Sequence, residues 1–213
     1  LGLDESISQG ADRGQNKETD DWTMTTLLGL MLVGLGVLSR LVPHPPNMVA
    51  MGAIALYGGA KLPKRFALAV PVAAMAISDI LINRVYNAAF FSLPQLVSYA
   101  TFILIVLIGM SLARSGGPMR RGLLAVGSAL LFFVTTNFAV WVAPHMLPGS
   151  TPTVYPMTAA GLQACYLAAL PFLWNQVMAE LVGVTALFGL DFLGRALIAR
   201  KSTPENTLLG EAS

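Results

Sequence analysis

The sequence predicts an all-α integral membrane protein, a six-transmembrane-helix bundle with an additional outer interfacial or re-entrant segment. Three observations predict it. Of 213 residues, 55% are hydrophobic and only 11% charged, far more apolar than a soluble domain. Seven apolar stretches follow one another along the chain, and about 20 helical residues suffice to cross roughly 30 Å of hydrocarbon. Lys and Arg collect in alternate connections, as they do in loops retained in the cytoplasm.

Before the first stretch, Asp4, Glu5, Asp12, Glu18, Asp20 and Asp21 outnumber Arg13 and Lys17, the reverse of a signal peptide's basic start. Residues 1–22 therefore read as a disordered acidic cytoplasmic tail. A first residue other than Met points to a trimmed product or an alternative start. Met24–Val42 follows, with Gly29, Gly34 and Gly36, and with Thr25 four before Gly29, a pattern that permits close approach of another helix. Met48–Leu62 is short and contains Gly52, Gly58 and Gly59, so it is expected to be tilted or partly irregular. Phe66–Ile82, Leu96–Ala113 and Leu123–Ala143 are the third to fifth stretches.

Arg13 and Lys17 precede the first stretch, Lys61, Lys64 and Arg65 follow the second, Arg114, Arg120 and Arg121 follow the fourth, and Arg200 and Lys201 end the last. The opposite loops contain only Arg84. Both termini are then cytoplasmic, which requires an even number of crossings. Between Met157 and Ala199 there is accordingly one crossing and one segment at the outer interface. Met157–Trp174 is taken as the non-crossing piece, because Pro171 interrupts it and Thr158, Gln163, Cys165, Tyr166 and the following Asn175 make it polar. Val177–Ala199 completes a membrane domain over residues 23–199, and residues 200–213 form a cytoplasmic tail.

Polar groups inside a span are expensive, so their depth is informative. Arg40 lies at the outer end of the first helix, before Pro43-His44-Pro45-Pro46-Asn47. Asp79 lies ~20 Å from the inner end of the third at 1.5 Å per residue. Asn137 and Trp141 share that level on the fifth, and Asn175, Gln176 and Glu180 open the sixth. This common outer depth over an apolar inner half is the pattern of a pocket open to the outside. The ligand-binding candidates are Arg40, His44, Asn47, Tyr57, Asp79, Asn137, Trp141, Tyr166, Asn175 and Glu180. Arg40 or His44 would meet an anionic group, Asp79, Asn137 and Glu180 would hydrogen-bond the ligand, and Tyr57 and Trp141 would stack on a flat ring. The plainer alternative is that these groups reach the interface, or that Arg40 pairs with Asp79 or Glu180 as a structural bridge. Asp191 and Arg195, one turn apart, need no more than an i,i+4 pair. Trp22, Tyr86, Tyr155 and Trp174 fit interfacial anchors.

Other chemistry lacks a basis in the sequence. The single Cys165 excludes an intrachain disulfide and a multi-cysteine metal site. His44 and His145, a hundred residues apart, do not make a metal centre. No phosphate loop, HExxH, GxSxG or paired aspartate-rich motif occurs, so an enzyme is not expected and no cofactor is called for. A net charge of +2 spread over loops gives no surface for nucleic acid.

Arg40-Leu41-Val42-Pro43-His44-Pro45-Pro46-Asn47, Gly52-Ala53 through Ala55-Leu56-Tyr57-Gly58-Gly59, and Ser78-Asp79 resemble an uncharacterised bacterial family of predicted membrane transport proteins. Thr136-Asn137-Phe138 with Trp141, Tyr155-Pro156 through Gly161-Leu162, Cys165-Tyr166 and Ala169-Leu170-Pro171-Phe172 resemble the same family, from about Leu38 to Gly189. In size and layout it is similar to the S components of energy-coupling-factor vitamin transporters. The resemblance implies a six-helix fold in a bacterial cytoplasmic membrane, an outward-facing pocket for a small vitamin-like substrate, and a membrane coupling protein with ATPase subunits as partner. The alternative is a structural or assembly subunit of a larger membrane complex, its glycine-rich first helix packed on partners and its polar cluster tying the fold together.

Overall fold

The computed structural model describes residues 2–86, 92–146 and 154–201, with side chains from Asp21 to Arg200. Six α-helices follow in order: α1 (Gly2–Leu41), α2 (Met51–Lys61), α3 (Lys64–Tyr86), α4 (Leu93–Ile108), α5 (Pro118–Met146) and α6 (Ala159–Lys201). A π-helical segment, Gly109–Ala113, prolongs α4, and no strand occurs among the described residues.

Five of the helices contain spans long and apolar enough to cross a membrane: Asp21–Leu41, Lys64–Tyr86, Leu93–Ala113, Pro118–Met146 and Ala159–Arg200. Their exposure matches that solvent. Only 17% of the α1 window and 11% of the α6 window is buried within the protein, and Leu30, Met31, Phe192 and Ile198 stand in the open. Apolar surface spread over every long helix needs hydrocarbon around it, so the chain is a multi-pass membrane protein.

α2 is the opposite case. Every residue from Met51 to Ala60 is buried, and all five long helices contact it. At 11 residues it extends ~16 Å, about half the hydrocarbon thickness. Its role in connectivity follows from its neighbours. α1 and α3 run parallel, since Gly29 faces Phe66 and Val70, Gly36 faces Ala74, and Arg40 reaches Met75 and Ser78. The chain between them must return along the bundle, and it does so through residues 42–50 and then α2. Residues 42–48 of this return are exposed and Val49 and Ala50 half-buried, and enclosure by the surrounding helices begins with α2 itself. Gly59 and Gly109 allow the close fit: a Cβ on Gly59 would strike Val106 O, Met110 N and Gly109 Cα, and one on Gly109 would strike the backbone of Leu56.

The remaining helices alternate in direction. Asp79 of α3 meets Gln95 and Tyr99 of α4, Thr101 of α4 meets Thr135 of α5 at 2.8 Å, and α5 pairs with α6 from Phe133–Tyr166 to Arg121–Phe188. The chain thus traverses the bundle six times, five times as a long helix and once as the short α2 with its lead-in.

Two expectations are corrected. Met157–Trp174 is not a separate interfacial or re-entrant segment: from Ala159 it is the first part of α6, which runs unbroken through Pro171 to Lys201. Proline removes one backbone donor, leaving the Leu167 carbonyl without its usual partner, which membrane helices tolerate. α5 lies along the other face of this stretch, where Tyr166 Oη donates to Val134 O and Cys165 Sγ to Asn137 O, while Leu167 and Pro171 are exposed. At the other end, the backbone is helical from Gly2, where composition suggests a disordered tail. Extending a helix already nucleated by a span costs little per residue. The tail expected after residue 201 lies outside the described residues.

Candidate functional site

The site is built around the start of α2. Pro45 O accepts from Met48 N at 3.0 Å, closing a turn with Pro46 and Asn47 at its centre. Asn47 has φ 61°, and proline followed by a residue tolerant of positive φ is the pattern of a type II turn. Asn175 Nδ2 donates to Pro46 O at 3.0 Å, which ties the turn to α6. Beyond it the chain enters the bundle and α2 begins with Met51 and Gly52.

Glu180 of α6 meets this helix start. Its carboxylate accepts from the backbone N–H groups of Gly52 and Ala53, donors that the first turn of any helix leaves unmatched. A carboxylate there also complements the positive end of the α2 dipole. Gly52 is required by the contact, because a Cβ on it would overlap the Glu180 carboxylate. Glu180 is 2% exposed and Gln176, one turn earlier, 5%. Yet Glu180 Oε2 and Gln176 Oε1 have no hydrogen-bond partner. An unmet buried acceptor costs roughly 1–3 kcal/mol, and more when charged, so such atoms invite a functional explanation.

Both residues line a cavity of 160 Å³. Met51, Met75, Phe102 and Phe132 supply apolar walls, and Arg40, Asn47 and Ser98 supply polar ones. The Phe102 and Phe132 rings are 5.0 Å apart and tilted by 33°. A larger groove of 420 Å³ between the start of α5 and the later part of α6 has mainly apolar walls, including Val184, Phe188 and Phe192.

Arg40 and Asp79 form a pair at the rim. Arg40 Nη2 lies 2.6 Å from Asp79 Oδ1, with the side chains 20% and 10% exposed. Arg40 Nη1 donates to Ser78 Oγ at 2.7 Å. The other Asp79 oxygen, Oδ2, accepts from Gln95 Nε2 at 2.7 Å and from Tyr99 Oη at 2.9 Å. Ser92 caps α4 by accepting from Gln95 N, and the i,i+4 spacing of Gln95 and Tyr99 puts both on the Asp79 side. Asp79 is therefore fully occupied by protein donors from two helices, α1 and α4.

Of the ten sequence candidates, Arg40, Asn47 and Glu180 line the cavity, Asp79 backs it through Arg40, and Asn175 holds its entrance turn. The other five lie elsewhere. Tyr57 packs edge-on against Phe188, ring centroids 5.0 Å apart, towards the Lys61 end of α2. Asn137 Nδ2 donates to Phe133 O within its own helix, Trp141 Nε1 to Pro156 O at 3.0 Å and Tyr166 Oη to Val134 O at 2.7 Å. Tyr166 thus fastens α6 to α5, Trp141 fastens α5 to the segment before α6, and the Asn137 side chain stays within α5. His44 is exposed on the loop, its Nδ1 2.8 Å from Pro45 O. Glu180 also sits in the middle of α6, not at the opening of a helix, because that helix begins at Ala159.

Gln176 carried a depth signal but no assigned role. Gln95, Ser98 and Tyr99 carried none, being ordinary polar residues near a helix start. Asp191 is more than an i,i+4 partner: Lys61 Nζ lies 2.5 Å from its Oδ2 and Arg195 Nε 3.1 Å from its Oδ1. This triad fixes the end of α2 to α6 as Glu180 fixes its start. Among the described residues no group of His, Cys, Asp and Glu is placed to hold a metal ion.

A family of unknown function (DUF6580) matches residues 19–201. No curated protein and no solved structure matches the chain.

Proposed function

The chain belongs to that family, and we propose that it is a membrane-embedded substrate-binding subunit for uptake of a small water-soluble molecule. The observation that carries this reading is the cavity at the start of α2, lined by Glu180 and Gln176, each of which carries a buried acceptor without a protein partner. A purely structural core closes such gaps with apolar packing, since an unmet polar atom weakens it. A short buried helix whose terminus faces a polar cavity within the bundle is also how many membrane transport proteins build substrate sites.

In this reading the Arg40 end faces outside and the Lys61 end the cytoplasm of a bacterial cell. Lys61, Lys64, Arg65, Arg120 and Arg200 sit at helix ends of the latter side, matching the charge bias of cytoplasmic loops. Residues 42–50 then form the entrance. The six-traverse layout is in keeping with the S components of energy-coupling-factor transporters, and a coupling protein with ATPase subunits would supply the energy, as the sequence has no phosphate loop of its own.

The test is binding. Purified protein in lipid nanodiscs is examined by native mass spectrometry for co-purifying molecules and by thermal shift against a broad panel of small water-soluble nutrients. A ligand that stabilises the protein and is lost on altering Glu180 or Gln176 supports the proposal, whereas no binder by either method overturns it. The saturation of Asp79 by Arg40, Gln95 and Tyr99 favours a second reading, an assembly subunit whose polar network serves only the fold. Native-membrane pull-down separates the two: a coupling ATPase supports uptake, a stoichiometric complex without one supports assembly.

A further inference from the structure

Resting on the reading of this cavity as a binding site, we infer that its ligand is a small nitrogenous cation, a single flat ring with a short substituent that donates N–H groups to the Glu180 and Gln176 side chains. Size, charge and wall chemistry converge on it. The 160 Å³ of the cavity is close to the ~150 Å³ that accommodates benzene in an engineered protein cavity. One ring fits, and a two-ring body does not fit without rearrangement.

The charge balance is one-sided. Two ionisable side chains line the cavity, Arg40 and Glu180. Arg40 is matched by Asp79 at 2.6 Å and also held by Ser78 and Met75. Glu180 has only backbone donors, on one oxygen. Glu180 is thus the one ionisable group of the wall without a side-chain partner, and a ligand cation in the cavity would supply that partner. An anionic ligand would face Glu180 with no free cation to offset it, which reverses the expectation that Arg40 would receive an acidic group.

The neutral contacts agree. Gln176 and Glu180 are four apart on α6 and lie on one face, so their two side chains together suit a forked donor such as an amidine or an aminated ring nitrogen. Phe102 and Phe132 offer aromatic surface, favourable to a flat cation, and the Met51 and Met75 thioethers adapt to ring edges.

The experiment uses three nearly isosteric probes on the full-length protein in nanodiscs: benzamidine, cationic; benzamide, neutral; and benzoate, anionic. Affinities by calorimetry are expected to favour benzamidine at least ten-fold over the other two. Glu180→Gln should abolish that preference, and Gln176→Leu, which keeps the charge and removes an acceptor, should weaken benzamidine about ten-fold. Benzoate or benzamide binding tightest overturns the inference, as does a benzamidine preference that survives Glu180→Gln. If Glu180→Gln does not fold, the ranking of the three probes on the unaltered protein decides. Should none of the three bind while the nutrient panel yields a neutral or anionic ligand lost on Gln176→Leu, the cation inference falls and the binding function stands. Absence of any binder from both sets overturns both.

Discussion

Two residues decide how the polar interior tolerates change. Removing one partner from a largely buried ion pair strands the other, which typically costs 3–5 kcal/mol. Asp79→Ala leaves Arg40 facing Ser78 and Met75 alone and also frees Gln95 and Tyr99. It should destabilise the protein by about 3 kcal/mol in reversible unfolding in detergent micelles. A loss below about 1 kcal/mol would mean that water screens the pair as it does on a surface. Gly52 is constrained by a different force. A methyl group there collides with the Glu180 carboxylate, and forced overpacking costs about 1–3 kcal/mol. Gly52→Ala should lose about that much alone but markedly less in a Glu180→Ala background, because the collision needs both groups. A double-mutant cycle measures the difference, and additive effects would show that the two side chains do not meet.

At the scale of elements, the short α2 governs the architecture, and glycine is what lets it fit. Gly59 and Gly109 bring the backbones of α2 and the α4 extension into contact, so Gly59→Ala should cost about 1–3 kcal/mol. Gly34 of α1 has nothing within 4 Å of an added Cβ, and Gly34→Ala should not destabilise; trading glycine for alanine within a helix is even favourable by about 1 kcal/mol. Thermal unfolding of both variants checks the contrast. Much of this architecture was legible in the sequence: the apolar stretches at Met24, Phe66, Leu96 and Leu123 all lie in spans, while Met48–Leu62, expected to be tilted or partly irregular, holds a regular 11-residue helix. Pro171 misled, because the sequence shows the missing donor but not α5 lying along the other face of an unbroken helix. The site was legible by half for a related reason. Distance along a helix gives depth, which grouped Arg40, Asp79, Asn137 and Trp141, but the facing direction depends on neighbours. The Asn137 side chain therefore bonds within α5 and Trp141 reaches Pro156, while Arg40 turns to the cavity.

For the whole molecule, orientation is what converts a cavity into an entrance. The basic residues cluster at the end of the bundle that holds the close of α2, the starts of α3 and α5 and the close of α6, and retained loops carry that bias. The opposite end has Arg40, neutralised by Asp79, and Arg84. The single cysteine makes this orientation measurable, because Cys165 is 2% exposed and should react little with a membrane-impermeant maleimide. His44 and Ser115 are exposed at opposite ends. In a Cys165→Ala background, His44→Cys should be labelled in intact cells with the outer membrane permeabilised, and Ser115→Cys only after the inner membrane is broken. The reverse pattern would put the cavity entrance on the cytoplasmic side and turn uptake into export or sensing. Labelling of both from outside would deny that the chain between them crosses an odd number of times. The structure counts three traverses between His44 and Ser115, α2, α3 and α4, so the experiment tests the short buried helix as a crossing as directly as it tests the orientation.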